Sequence, residues 1–92
     1  MSETRSVLVR ISGRVQGVGF RDWTQREAAA RGVSGWVRNL PTGEVEAVFS
    51  GPAAIVEDML VACRNGPRFA HVDRVSVVGD GEAQTGGFTI RR

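Results

Sequence analysis

The sequence predicts an α+β fold, a ferredoxin-like α/β sandwich of order β-α-β-β-α-β, with an antiparallel sheet carrying two helices on one face. Three observations lead there. Val7, Val9 and Ile11 alternate with Leu8, Arg10 and Ser12, the period-two pattern of a strand. Ile55, Val56, Met59, Leu60 and Cys63 recur at helical spacing and give one clear buried face. Gly51-Pro52 and Asn65-Gly66-Pro67 are breakers that bracket this helical stretch. Strands and helices interleaved in this order suit a sheet with one covered face. A chain of 92 residues can bury one modest core, so 1–92 reads as a single domain, with 1–5 a flexible N-terminal tail.

The elements follow in order. A glycine loop succeeds the first strand, and Asp22 to Arg31, rich in Ala, Glu, Gln and Arg, reads as a helix. Trp23, Ala28 and Ala30 to Val33 suggest its inward stripe, while Gln25, Arg26 and Arg31 can face water. Asp22 favours the helix start by charge, and Gly32 is its C-cap. A second strand over 35–40 turns through Pro41-Thr42-Gly43 into a third over 44–50. On that third strand Val45, Ala47 and Phe49 share one face, and Glu44, Glu46 and Val48 the other. Pro52 opens the second helix from a favoured early position. Val72, Val75, Val77 and Val78 supply a fourth strand whose alternation slips, which marks an irregularity. Asp80 to Gly87, with three glycines, reads as a mobile loop, and Phe88 and Ile90 as a short last strand added at an edge.

Composition excludes several classes. The apolar fraction of 41% is that of a folded globular protein. The net charge is only +2, and the basic residues, all arginine, are dispersed from Arg5 to Arg92 instead of forming a nucleic-acid footprint. Cys63 is the only cysteine and His71 the only histidine, so an internal disulfide, a cysteine zinc site and a multi-histidine metal centre are all ruled out. Cys63 reads as a space-filler in the helix–sheet core, and His71 as a surface or strand-start residue. The polar start Met1-Ser2-Glu3-Thr4-Arg5 has no signal-peptide core, and the chain has no membrane span, so a soluble cytoplasmic protein is expected. A monomer is a separate expectation, which none of these features decides.

The stretch from Gly13 to Arg21 carries the candidate chemistry. Gly17 and Gly19 can take positive φ at little steric cost, which lets the loop curl and turn successive N–H groups inward into an anion-attracting nest. The helix behind it adds unpaired N–H groups and the positive end of its dipole. Arg21, in the first turn, brings a planar fork suited to two phosphate oxygens. A cation beside a positive dipole end makes better sense with an anion between them. Glycine turns of this kind also occur without a ligand, and the standard fingerprints are absent: no third glycine completes G-x-G-x-x-G, and the chain has no lysine for a Walker motif. Asn39, just ahead of Leu40-Pro41-Thr42-Gly43, reads on turn chemistry alone as a turn former before anything else. Trp23 and Trp36 read as packing residues, either of which could reach a ligand at the mouth. Arg38 reads as surface, and Thr42 as a turn residue that could support Asn39.

The string G-R-V-Q-G-V-G-F-R resembles the first signature of the acylphosphatase family, and Gly35-Trp36-Val37-Arg38-Asn39 resembles its second. They stand in the family's order, and the similarity runs from about Val7 to Arg91. The resemblance implies hydrolysis of small acyl phosphates to carboxylate and inorganic phosphate, without metal or cofactor. It gives Arg21 and the backbone N–H groups of Gln16, Gly17, Val18, Gly19 and Phe20 the phosphoryl group, and Asn39 the orientation of the attacking water. It implies neither a nucleic-acid nor a membrane partner. Within the family, a domain of a larger carbamoyl-transferring factor is the variant reading; a chain ending at Arg92 without a cysteine-paired zinc segment favours the free-standing enzyme. Outside it, a non-catalytic anion-binding or RNA-binding module is the alternative. RNA binding would call for exposed aromatics on central strands, which Phe20, Phe49, Phe69 and Phe88 do not supply by pattern.

Overall fold

In the computed structural model, which describes residues 3–92, seven elements follow one another: β1 (Thr4–Arg14), α1 (Phe20–Arg31), β2 (Ser34–Asn39), β3 (Val45–Pro52), α2 (Ala53–Asn65), β4 (His71–Asp80) and β5 (Phe88–Ile90). The sheet order is β4-β1-β3-β2-β5. The four longer strands pair antiparallel, as the sequence implies. β5 joins the β2 edge in parallel, which makes the whole sheet mixed. This is the ferredoxin-like α+β arrangement with one extra edge strand. No described helix is long and apolar enough to cross a membrane.

The expected tail over 1–5 does not hold at Thr4 and Arg5, which belong to β1. β1 starts at Thr4 because Thr4 and Arg5 find register partners in Pro52 and Gly51, and Glu3 O accepts the Ala53 N–H at 2.8 Å. Met1 and Ser2 lie outside the described residues. β4 carries the expected irregularity as two register shifts against β1, which leave Asp73 and Val78 without opposite partners.

The core lies between the sheet and the helices. Val7, Val9 and Ile11 of β1, Val37 of β2 and Val45, Ala47 and Phe49 of β3 meet Phe20 and Ala28 of α1 and Val56, Met59, Leu60 and Cys63 of α2. Each large apolar side chain so buried contributes about 1.5–3 kcal/mol. On α1 the inward residues are Phe20, Thr24 and Ala28, spaced four apart; Ala30 is exposed and Trp23 only half-buried. The stripe expected from the alanines is therefore displaced. Thr24 can enter the core because its hydroxyl donates to Phe20 O at 2.8 Å.

The opposite face of β3 is also closed. Glu46, Val48 and Ser50 are buried although they point away from the helices. β4 and β5 lie at opposite edges, so the segment 81–87 has to cross the sheet. It is strapped down as it does so. Gly81 N–H donates to Ser6 O (3.0 Å), Ser6 Oγ to Glu82 O (3.1 Å), Gln84 N–H to Ser50 Oγ (3.1 Å) and Ser34 Oγ to Gly86 O (2.6 Å). Ser6, Ser50 and Ser34 are in register across three adjacent strands. A loop read as mobile from its glycines is thus anchored by a row of serines, which only strand pairing brings together.

Candidate active site

The loop between β1 and α1 is held by its apolar residues and shaped by its glycines. Val15 is buried and Val18 packs against the core. Gly17 and Gly19 take φ of 74° and 76°, the left-handed conformation that the sequence assigns them. Gly19 is the N-cap of α1, and its carbonyl accepts the first intrahelical bond, from Trp23 N–H at 3.0 Å. The N–H groups of Phe20, Arg21 and Asp22 therefore lack partners within the helix and stand at the positive end of its dipole. Phe20 inserts its ring into the core, which fixes this helix end and leaves Arg21 and Asp22 on the rim.

A cavity of about 670 Å³ opens there, lined by Val15, Gly17, Gly19, Phe20, Arg21, Asp22, Asn39, Ile90 and Arg92. Five of the expected site residues, Gly17, Gly19, Phe20, Arg21 and Asn39, meet in it. The side chains of Gln16 and Val18 do not. Val18 turns to the core, and Gln16 directs its amide to Leu40 O and Glu44 O, both at 2.8 Å. Val15, Asp22, Ile90 and Arg92 join the five there from outside the expected set. Ile90 arrives because β5 pairs with β2, Val37 facing Ile90 and Arg91 N–H reaching Val37 O at 2.8 Å. The apolar pair Phe88 and Ile90 was the only hint of that strand, with nothing to tell which neighbour it would choose.

Asn39 is the last residue of β2, opposite Val45 of β3. It falls on the side of Val37, the helix-covered face, and so under the first turn of α1. Its Oδ1 is buried and has no hydrogen-bond partner among the described residues. A buried acceptor left unpaired costs about 1–3 kcal/mol, so a donor belongs beside it. Thr42 does not supply one: its hydroxyl donates to the Glu44 carboxylate (3.0 Å) and accepts from Glu44 N–H (3.3 Å). Neither tryptophan lines the cavity. Trp23 stacks obliquely on Phe20 at 5.4 Å, and Trp36, on the other side of the sheet, has the guanidinium groups of Arg38 (5.4 Å) and Arg91 (4.5 Å) over its ring.

Charge, donors and shape in this cavity suit a small tetrahedral anion: an arginine, a helix N-terminus and a glycine loop converge on one space that Asn39 also lines. Residues 7–90 match the family model described as Acylphosphatase. The chain belongs to the acylphosphatase family. It is a hydrolase of acyl phosphates, with inorganic phosphate as a product. It is 51% identical to an acylphosphatase of Rhodospirillum rubrum over 92% of this chain and 93% of that one. An acylphosphatase of Nitrobacter hamburgensis is 61% identical over 77% of this chain and 70% of its own. The crystal structure of acylphosphatase from Bacillus subtilis superposes with a TM-score of 0.86 at 35% identity, covering 98% of this chain and 100% of that one. Both acylphosphatase signatures border the cavity, the first through Val15, Gly17, Gly19, Phe20 and Arg21 and the second through Asn39.

Proposed function

We propose that Arg21 and the backbone N–H groups of Gln16, Gly17, Val18, Gly19 and Phe20 bind the phosphoryl group of a small acyl phosphate, and that Asn39 orients the water that attacks it. The observation carrying this reading is that Asn39, whose buried Oδ1 is unpartnered among the described residues, lines the cavity that Arg21 also lines. A water donating one O–H to that oxygen satisfies it and points a lone pair toward phosphorus. An amide has no useful basicity, so it positions the water without deprotonating it.

The bond from water oxygen to phosphorus forms as the bond from phosphorus to the carboxyl oxygen breaks. The electron pair leaves on the carboxylate, and the water's proton passes to the phosphate product. A carboxylate leaves without a general acid. Charge spreads over the equatorial phosphoryl oxygens in the transition state, where fixed N–H donors and the Arg21 fork meet it without reorganisation. The reaction so drawn uses no metal or cofactor. We further propose that residues 1–92 act as one cytoplasmic, monomeric domain with no nucleic-acid or membrane partner.

The test is hydrolysis of benzoyl phosphate with EDTA present, comparing wild type with Asn39→Ala. The expected result is a loss of about 10²–10³ in kcat, with inorganic phosphate inhibiting both proteins at similar concentrations. A folded Asn39→Ala protein with wild-type kcat overturns the assignment.

A further inference from the structure

Gln16 sits in the middle of the loop, yet its side chain leaves the cavity. Its Nε2 bonds Leu40 O and Glu44 O, each at 2.8 Å, so both amide protons are spent on the β2–β3 connection. Those two carbonyls close that connection. Leu40 N–H donates to Glu44 O at 2.8 Å, and Gly43 N–H donates to Leu40 O at 3.1 Å. Each carbonyl therefore accepts one bond from the turn and one from Gln16. Leu40 follows Asn39 directly, and Glu44 precedes Val45, the register partner of Asn39. The amide thus grips both arms of the hairpin one residue beyond the Asn39–Val45 pair, on its turn side, while its own backbone lies between buried Val15 and the left-handed Gly17.

We infer that Gln16 is a positioning residue: by bridging Leu40 O and Glu44 O, its amide sets the spacing between the phosphoryl cradle and Asn39, and so the line of water attack. This rests on the roles proposed above for the cradle and Asn39. The two groups come from elements distant in sequence, and the Gln16 bridge is the side-chain link running from the loop to the turn beside Asn39. In-line attack is sensitive to such spacing, a displacement of about 1 Å costing on the order of 10²-fold in rate. The chemistry also specifies an amide. Two carbonyl oxygens need two donors, which a glutamine supplies and a carboxylate of the same shape opposes.

Steady-state kinetics with benzoyl phosphate, inhibition by inorganic phosphate and thermal unfolding test this on wild type, Gln16→Met, Gln16→Glu, Asn39→Ala and Gln16→Met/Asn39→Ala. In Gln16→Met, kcat is expected to fall about 10–10²-fold, while the phosphate inhibition constant stays within about twofold, since the cradle's own N–H groups remain. In the Asn39→Ala background the same change should cost almost nothing further, because the residue it positions is gone. Gln16→Glu should lose activity at pH 7 and regain part of it, relative to wild type, as pH falls toward 4.5. Carbonyl oxygens facing the carboxyl favour its neutral form, whose O–H can again donate. Wild-type kcat in Gln16→Met, a loss confined to phosphate affinity, full additivity with Asn39→Ala, or a Gln16→Glu deficit that ignores pH each overturns the inference. An Asn39→Ala protein with normal kcat sinks the underlying reading instead, and the two failures are thereby told apart.

Discussion

Arg38 and Asn39 are consecutive in β2 and serve opposite faces of the sheet. Asn39 lines the cavity under α1, whereas Arg38 clasps Glu46 Oε1 through Nε at 2.9 Å and Nη2 at 2.6 Å. Glu46 is in register with Arg38 on one side and Arg10 on the other, and Arg10 Nε reaches its second oxygen at 3.4 Å. The carboxylate is 6% exposed and the two arginines 47% and 44%, so the acid is the member that depends on its partners.

Removing Glu46 should accordingly matter more than removing either arginine. Glu46→Ala is expected to lower stability by about 1–3 kcal/mol, because it strips charged bonds from a closed site. Arg10→Ala should cost no more than about 1 kcal/mol, the ordinary worth of a half-exposed pair. Urea unfolding of the two variants checks the ranking, and equal losses would contradict it.

The second signature contains a backbone constraint. Gly35 has φ of 142°, and a Cβ there would lie 1.9 Å from Val48 O on β3. Gly35→Ala should therefore push β2 off β3 and destabilise by more than about 3 kcal/mol, the upper range for one substitution. Gly17 meets nothing within 4 Å, so Gly17→Ala carries only the left-handed penalty of about 1–2 kcal/mol. Denaturant midpoints of the pair distinguish a clash from a conformational cost.

Much of this was legible because local and global signals agree. Val7, Val9 and Ile11 alternate and are buried; Gly17, Gly19 and Gly32 all adopt the left-handed conformation expected of them. Arg21 and Asn39 could be singled out because an arginine at a helix start is electrostatically odd and because the two signatures resemble a family's. Pairing across the sheet was the hidden part. Nothing in the order of residues announces that Ser6, Ser50 and Ser34 form a row, or that β5 runs parallel to β2 and brings Ile90 to the cavity. The arginine clasp on Glu46 escaped for the same reason, since a lone acid on a strand reads as solvent-facing until its cross-strand neighbours are known.

Phosphate should stabilise the folded protein through Arg21. A ligand at 100 times its Kd adds about 2.7 kcal/mol, and each kcal/mol raises Tm by about 4–8 °C in a domain of this size. Thermal unfolding with saturating phosphate is expected to show such a shift in wild type and almost none in Arg21→Ala. Arg21→Lys should recover little, since a point charge does not reproduce the bidentate fork. An equal shift in all three would separate Arg21 from the anion site.

The serine row predicts a local effect. Ser50 is buried, shares a 2.6 Å bond with Ser6 Oγ and accepts from Gln84 N–H. Ser50→Ala should cost about 1–2 kcal/mol and speed amide exchange over 81–87 more than in the core strands. Unchanged exchange there would mean that the strap does not depend on this hydroxyl.

Cys63 gives a pH dependence whose sign is fixed by burial. It is enclosed by the core on α2, and desolvation pushes its thiol up to about 12, a rise that nearby Arg31 opposes and Glu27 reinforces. The unfolded chain releases this proton near its ordinary value of 9.0, while the folded chain keeps it. Above pH 9 the folded state thus binds more protons, and stability falls as pH rises, by about 1.4 kcal/mol per unit until the folded thiol titrates. The chain has no lysine and no tyrosine, so no other side chain normally titrates in that window. Urea unfolding from pH 8 to 11 should show this slope in wild type and a nearly flat line in Cys63→Ala, with a thiol reagent leaving the native protein unmodified at pH 8. A slope that survives in Cys63→Ala would place the alkaline loss elsewhere.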